Sequence, residues 1–332
     1  MDPRYQQLAA RIGLGHSERI ARLFAMLADE TDADLLLAMP GDAAELAVKT
    51  GLAPEEAASR IQELFYRGLV FPSTKGGITK YRMSRDMVQF HDATLVWPAA
   101  PEAYLDLWRE FMEEEWFSLA KTISQMTPKP FTRVIPVGVT LKPRTQILDF
   151  ESVADIVSSA SRLAVTPCTC RLSMRKCERT VEACLQVNRA ADYTVARGSG
   201  REVTKEEALE ILRKAEEDGL IHVTMNKSEV SNFICNCCPC CCQTMPVLIQ
   251  GGVSVLDPSR FRAAIDPDLC TACGLCQERC YFGAITPQEG EDSPRQVNPE
   301  KCMGCGLCLT TCPAEAIGFP EVRPRDFVPG AA

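Results

Sequence analysis

Two stretches near the C-terminus repeat one cysteine spacing that suits iron–sulfur chemistry. DPDLCTACGLCQERCYFGAI (266–285) and NPEKCMGCGLCLTTCPAEAI (298–317) both read C-x2-C-x2-C-x3-C, and each cysteine of the first lies 32 positions before its counterpart, as 270 and 302 show. Three cysteines at intervals of three, with glycines between them, let a tight loop aim three thiolates at one iron–sulfur cube. The fourth cysteine begins a segment that leads away, so we expect it to face the neighbouring cluster.

Residues 257–320 closely resemble the bacterial two-cluster ferredoxins, in which the fourth cysteine of each run ligates the other cluster. The resemblance implies two [4Fe-4S] clusters, held by Cys270, Cys273, Cys276 and Cys312 and by Cys302, Cys305, Cys308 and Cys280. Pro313 follows Cys312 as in that family, whereas Tyr281 follows Cys280, and we expect Tyr281 to loosen this turn without removing a ligand. A pair of zinc sites is the alternative, but zinc ribbons space their C-x2-C pairs more widely.

Ten further cysteines lie upstream, two more than two cubes require. Four are in TPCTCRLSMRKCERTVEAC and six in ICNCCPCCC, namely Cys168, Cys170, Cys177, Cys184, Cys235, Cys237, Cys238, Cys240, Cys241 and Cys242. Successive side chains of an extended chain point to opposite sides, so we expect ICNCCPCCC to separate two metal centres, with Cys237 and Cys238, or Cys241 and Cys242, serving different ones. We predict one or two additional iron–sulfur clusters here and leave the partition open.

Other uses of these ten thiols stay open. Structural zinc is one alternative, and a few buried cysteines acting as small hydrophobic side chains is another. Spare thiols could ligate an unusual cluster or act as redox or substrate-binding groups. We also expect Asn236 and nearby amides to donate hydrogen bonds to the sulfurs.

The central part is similar to 4Fe-4S-binding proteins that carry the segment ICNCC-x-CCC. Besides that segment, the matching residues are RVIPVG (133–138), CTCR (168–171) and AADYTVARGSGREVTKEEAL (190–209), so the similarity spans about residues 130–320. It implies a redox protein of an anaerobe with several clusters and supplies no reaction.

A helix is expected between the two central cysteine segments. In GREVTKEEALEILRKAEEDGLIHV, Thr204 is an N-cap, Glu207 completes a capping box and Gly219 ends the helix. The apolar residues Ala208, Leu209, Ile211, Leu212 and Ala215 fall on one face. Such a scaffold would let the two cysteine segments meet in space.

The N-terminal segment follows the order of a winged helix-turn-helix. Residues 41–70 predict two helices around Gly51, and FPSTKGGITKYRMS predicts two strands around residues 75–77, which resembles the winged-helix domains of bacterial regulators. Residues 1–92 contain 11 Lys and Arg against 13 Asp and Glu, a balance of −2. The second helix carries three glutamates against two arginines, so we expect protein docking or dimerisation and no binding of nucleic acid, although the wing offers Lys75, Lys80 and Arg82.

We therefore predict an α+β multidomain chain. Its expected parts are a winged-helix-like domain (1–92), a helical connector (93–145), a cysteine-rich α/β central cluster domain (146–256) and a dicluster ferredoxin-like domain (257–332). In the connector, the amphipathic stretch 101–126 is expected to pack on its neighbours or to form a partner interface. His16, His91 and His222 are scattered singly and are expected to be ordinary side chains.

Several function classes find no support in the motifs. The chain has a net charge of −8, and we find no signal peptide, no apolar run of membrane-spanning length, no dinucleotide or P-loop fingerprint and no radical-SAM triplet. We expect a cytoplasmic protein, where thiols stay reduced, acting as an electron-transfer donor or subunit of a larger oxidoreductase in an anaerobe. Its expected partners are a redox protein, within an oxidoreductase complex, or a second copy in a homodimer.

Two other functions stay open, and with them whether the protein is itself an enzyme. The first is a redox enzyme with a catalytic central iron–sulfur site. Heterodisulfide reductases are its nearest analogy, although Pro239 stands where their Cys-Cys-Gly signature has glycine. The second is a redox-sensing winged-helix regulator, against which the acidic second helix counts.

Overall fold

The computed structural model describes residues 1–127, 129–138, 152–228 and 232–330. Its α-helices are α1 (Pro3–Arg11), α2 (Glu18–Leu27), α3 (Glu30–Ala38), α4 (Ala43–Thr50), α5 (Pro54–Arg67), α6 (Met87–Leu95), α7 (Glu102–Phe111), α8 (Phe117–Met126), α9 (Val153–Ser159), α10 (Thr169–Met174), α11 (Arg189–Arg197), α12 (Lys205–Glu217), α13 (Met245–Gly251) and α14 (Leu275–Glu278). Its strands are β1 (Val70–Lys75), β2 (Ile78–Met83), β3 (Thr132–Val134), β4 (Leu163–Pro167), β5 (Glu182–Val187), β6 (Arg201–Glu202), β7 (Ile221–Met225), β8 (Phe233–Cys237), β9 (Ala264–Ile265), β10 (Ile285–Pro287), β11 (Arg295–Val297) and β12 (Ile317–Gly318).

The chain forms two compact units. The first comprises Met1–Trp116 with Leu172–Met174 and Val195–Gly200, and the second comprises the rest, from Phe117 onward. The expected boundary between residues 145 and 146 lies outside the described residues, and the four-part division stays a prediction.

The first unit contains helices and one two-stranded hairpin in the expected order. Asp42 and Glu45 form a capping box at the start of α4, and Gly51 ends that helix at a φ of 71°. Strands β1 and β2 pair antiparallel, and the core includes the stacked rings of Phe24 and Phe90, whose centroids are 4.2 Å apart. The stretch 101–126 is not one regular helix, because a π-helical turn at Met112–Trp116 separates α7 from α8.

The second unit is built on a six-stranded sheet with the order β3-β7-β8-β5-β4-β6. The sequence predicts both helices and strands here, and the structure shows that these strands pair antiparallel. Helices α9 and α12 cover one face of the sheet, in an apolar cluster that includes Ile156, Leu212 and Ile234. As predicted, the side chains of Thr204 and Glu207 form a capping box at the start of α12.

The opposite face of the sheet presents cysteines. Ile234 packs toward the helices, whereas Cys235 and Cys237 pack in a second apolar cluster with Val134, Ile221 and other residues, because side chains alternate along β8. The strand ends at Cys237, and the chain then turns. The expected alternation of thiols across ICNCCPCCC is therefore wrong, because the two cysteines of β8 lie on the same face and the remaining cysteines belong to a turn.

The C-terminal repeat is also a repeat of structure. Strand β10 pairs with β11, and β12 pairs with β9, so that Ile285 lies opposite Val297 and Ile317 lies opposite Ile265. The two pairings are equivalent under the 32-residue repeat: Ile285 corresponds to Ile317, and Val297 corresponds to Ile265. A search of the described helices finds none with the length and apolarity needed to cross a bilayer.

Candidate metal centres

The structure brings four cysteines from both C-terminal repeats around one cavity. This first quartet is Cys270, Cys273, Cys276 and Cys312. Cys273 is exposed and Cys276 is buried, so the site reaches from the surface into the core. The backbone N–H of Arg295, whose side chain also lines the cavity, points at the Cys270 sulfur at 3.5 Å. The arrangement places the fourth cysteine of the second run beside the first three of the first run.

The second quartet gathers the remaining cysteines of the two repeats. Its members are Cys280, Cys302, Cys305 and Cys308, and the Cys308 thiol lies close enough to the other three to interact with them electrostatically. Cys308 packs with Cys276 of the first quartet in one apolar cluster that includes Phe261 and Phe319. The two quartets are therefore neighbours across a shared apolar cluster.

The backbone of the two cysteine loops follows the same path. Ala272 and its counterpart Gly304 both have positive φ angles, 58° and 63°, as do Gly274 and Gly306 at 80° and 79°. The amide of Ala284 points at the Cys280 sulfur at 3.4 Å, and the equivalent amide of the second repeat points at the Cys312 sulfur at 3.3 Å. Such N–H groups stabilise negative charge on the sulfurs of a cluster.

Burial controls the protonation of these thiols when no metal is bound. Burial raises the pKa of Cys276, and the neighbouring sulfurs raise it further. Burial also raises the pKa of Cys280, and it raises that of Cys305 to about 12. A buried thiol gives up its proton readily only when a cation replaces it, so the donor set suits a metal centre.

Tyr281, which departs from the ferredoxin pattern, has a specific set of contacts. Its hydroxyl accepts a hydrogen bond from Arg179 Nη2 at 3.0 Å, and the guanidinium lies 5.4 Å from the centre of the ring. Arg179 lies two residues after Cys177, so Tyr281 ties the dicluster repeat to the central cysteine segment. The sequence signals Tyr281 only as a missing proline, and nothing in it identifies Arg179 as the partner.

The ten central cysteines separate into a group of four and a group of six. The four-thiol group consists of Cys177, Cys238, Cys240 and Cys241, whose sulfurs all lie within 4.8 Å of one another. Cys177 comes from the segment after α10, and the other three come from the turn after β8. The six-thiol ring consists, in order around the ring, of Cys168, Cys170, Cys242, Cys237, Cys235 and Cys184.

Each sulfur of the six-thiol ring contacts the next, and Cys184 closes the ring on Cys168. The sheet register accounts for part of this geometry: β5 and β8 pair Leu185 with Ile234, which sets Cys184 opposite Cys235. Cys237 lies in one group and Cys238 in the other, and the same holds for Cys241 and Cys242. The end of β8 at Cys237 and the turn that follows produce this division.

Some of the central thiols are acidic. Hydrogen bonds from the Cys170 and Cys184 thiols hold the pKa of Cys168 well below its usual range, and the charge of Arg171 acts in the same direction. The Cys241 thiol and amide, together with Arg171, lower the pKa of Cys238 to about 5. Burial raises the pKa of Cys240 to about 11, and the negative Cys238 adds to this. Both groups therefore contain thiolates before any metal binds.

Arg171 lies between the two groups. Its side chain is only 3% exposed, and its Nη1 donates a hydrogen bond to the carbonyl of Asn236 at 2.9 Å. Within the described residues its Nε and Nη2 are buried and complete no well-formed hydrogen bond. The negative charges of Cys168 and Cys238 act on the guanidinium. A buried cation beside thiolates fits a site that gains an anionic metal–sulfur centre.

The side chain of Asn236 does not face the sulfurs, contrary to expectation. It hydrogen-bonds to the Ala183 carbonyl and to His222 Nδ1, the latter at 2.5 Å, on the helix-covered face. His222 Nε2 lies 3.1 Å from Glu216 Oε1, and both side chains are fully buried. His222 thus belongs to a buried polar network, which its isolated position in the sequence does not reveal.

The arginines of α5 are used inside the first unit. Arg60 Nη1 pairs with Asp29 and Asp32, each at 2.9 Å, and Arg67 Nη1 donates to the Leu27 carbonyl at 2.7 Å. On the hairpin, Lys80 pairs with Glu45 at 3.8 Å. The second helix therefore presents no unpaired arginine among the described residues to a phosphate backbone.

The comparisons with known proteins concern the C-terminal part of the chain. A search of curated proteins finds no match to this chain. A family model described as a 4Fe-4S dicluster domain matches residues 269–316, which contain all eight cysteines of the two quartets. This segment is therefore a ferredoxin-like 4Fe-4S dicluster domain, and the chain that carries it is an iron–sulfur protein.

Proposed function

We propose that this chain is a multi-cluster electron-transfer protein, a donor or subunit of a larger oxidoreductase in the cytoplasm of an anaerobe. In this proposal each quartet holds one [4Fe-4S] cluster, and the six-thiol ring holds a further iron–sulfur centre. A cluster bound in such a site accepts and releases one electron at a time with little rearrangement.

The observation that carries the proposal is a row of thiol sites that lie in two apolar clusters of the second unit. Cys276 and Cys308 share a core between the two quartets. Cys305 of the second quartet packs in the same apolar cluster as Cys235, Cys237 and Cys242 of the six-thiol ring. These contacts place successive sites next to one another, and proximity is what an electron path requires.

Arg171 supports the presence of a negative centre in the six-thiol ring. The buried guanidinium, with two nitrogens lacking a well-formed hydrogen bond among the described residues, is costly unless an anion lies beside it. Thiolates bound to iron supply that anion.

The first quartet offers the entry side for a partner. Cys273 is exposed, and the neighbouring Leu269 and Leu275 are 54% and 44% exposed. Residues 266–292 contain six acidic side chains and one arginine, a balance of −5. Exposed leucines beside a cluster, within an acidic rim, suit a redox protein with a complementary basic face.

The first unit suits protein docking or dimerisation better than DNA binding. We propose a winged-helix-type fold for it, from the element order α4, α5, β1 and β2. Because Arg60 and Arg67 are satisfied internally, we expect no salt-dependent retardation of duplex DNA at either oxidation state.

The test is anaerobic purification followed by iron and sulfide analysis and electron paramagnetic resonance of the reduced protein. We expect about eight irons from the two quartets, additional iron from the ring, and signals of interacting clusters. The variant Cys170→Ser should remove only the additional iron. Protein that contains no acid-labile sulfide would contradict the proposal.

A second candidate function rests on the size of the ring. Six thiols are two more than a cube takes, so the centre could reduce a small molecule or a disulfide with electrons from the dicluster domain. In that case added cyanide or a thiol should change the spectrum of the ring centre, while a pure carrier should show no response.

A further inference from the structure

The four-thiol group differs from both quartets in how closely its sulfurs approach one another. All four lie mutually within 4.8 Å, and the Cys241 sulfur is 3.8 Å from those of Cys177 and Cys240. In the described ranges, neither quartet of the dicluster domain forms a group this compact. One chain thus presents two different spacings of four thiols.

The spacing of the sulfurs depends on how many metal ions they surround. For a single zinc with bonds of about 2.3 Å, tetrahedral geometry places the sulfurs about 3.8 Å apart, since the edge is roughly 1.63 bond lengths. In a cube each cysteine binds a different iron, and the irons and sulfides between them keep the thiolates further apart. The two observed separations equal the edge for a single ion.

The surroundings also suit a closed site. Cys238 and Cys241 are buried, and Cys177 and Cys240 are half-buried. The Cys241 amide donates to the Cys238 sulfur at 3.4 Å across the turn that Pro239 stiffens, and Arg171 lies beside the same sulfur. These donors offset the negative charge that four thiolates leave on a divalent ion. Four protein thiolates complete a tetrahedral shell, which is typical of structural zinc.

We propose that the four-thiol group binds one Zn²⁺ ion, which clasps the segment after α10 to the turn after β8. Zinc binds such a set of ligands more tightly than ferrous iron does. The ten central thiols then divide between a structural ion and a redox centre. This inference goes beyond the proposed electron transfer, which requires iron only in the dicluster domain and in the six-thiol ring.

The test uses the full chain, purified without oxygen. Metal analysis should find about one zinc per chain, and X-ray absorption at the zinc edge should find four sulfurs at about 2.3 Å and no iron neighbour. Replacement of the ion by Co²⁺ should produce the visible bands of a tetrahedral thiolate site. The variants Cys177→Ser and Cys240→Ser should lose zinc at least tenfold faster to a chelator, with iron unchanged, whereas Cys170→Ser should keep zinc.

Two results would overturn the zinc site. The first is that the unaltered chain contains no zinc and that the Cys177→Ser variant loses iron, either a single ion or about four as for a cube. The other is zinc that both variants retain as the unaltered chain does. If both variants fail to fold, as loss of the dicluster resonance signals would show, the zinc-edge spectrum of the unaltered chain decides: nitrogen ligands or a nearby iron would refute the proposal. Because iron and its resonance signals are measured separately, a failed zinc site leaves the electron-transfer proposal standing.

Discussion

The substitution Arg171→Gln tests the buried cation between the two central thiol groups. Glutamine can still donate to the Asn236 carbonyl, as Arg171 Nη1 does at 2.9 Å, so the change removes the charge with limited loss of packing. A positive charge favours the reduced and more negative state of a nearby centre. The potential of the centre in the six-thiol ring should therefore fall, while the two clusters of the quartets should change little.

The size of the shift follows from Coulomb's law. For an assumed separation of about 7 Å and an effective dielectric constant of about 20, a unit charge contributes about 2.4 kcal/mol. For one electron this corresponds to about 100 mV. Because Arg171 is only 3% exposed, salt should reduce the shift only slightly.

The assay is a redox titration followed by electron paramagnetic resonance. Arg171→Lys keeps the charge and should keep most of the potential. Arg213→Gln is the matched control, because Arg213 lies on the exposed side of α12 and pairs with Glu210 and Glu217. A folded Arg171→Gln variant whose ring centre titrates as in the unaltered protein would refute the electrostatic role, and so would an equal shift in the Arg213 control.

Three further predictions concern the dicluster domain. Ala272→Gly should be tolerated and should stabilise the loop by about 1 kcal/mol or less, because the residue has a φ of 58°. Gly304→Ala should prevent assembly of the clusters, since its Cβ would lie 2.2 Å from the Phe261 carbonyl oxygen. The guanidinium concentration at which half of the cluster is lost measures both effects. Cys312→Ser should alter the resonance signal of the first-quartet cluster and leave that of the second-quartet cluster unchanged. The reverse outcome would show that Cys312 binds the same cluster as Cys302, Cys305 and Cys308. The rate at which the reduced protein transfers electrons to a cationic mediator should fall as the salt concentration rises. The fall should be steeper for the unaltered protein than for the Asp268→Asn variant, and an anionic mediator should show no such fall.

The sequence predicts the dicluster domain well because its information is local. Ligand spacing, the glycines of the loops and the internal repeat all lie within residues 269–316, the segment that the family model matches. The helix at residues 205–217 is equally predictable from the sequence, since a capping box depends on residues three positions apart. The break at Met112–Trp116 was not predicted, because an amphipathic pattern alone does not distinguish a continuous helix from one with a π-turn.

The central thiols show what the tertiary structure decides. The sequence by itself determined that ten cysteines lie in two short segments, and it predicted that Cys237 and Cys238, or Cys241 and Cys242, would serve different sites. It did not predict that the adjacent Cys240 and Cys241 would lie in one group. It could not pair Cys184 with Cys235, which the register of β5 against β8 brings together, or place Cys177 with the turn after β8. Nor could it place Arg171 between the two groups. Ligand type follows from local spacing, whereas the partition of ligands and the charge beside them depend on contacts between segments distant in the chain.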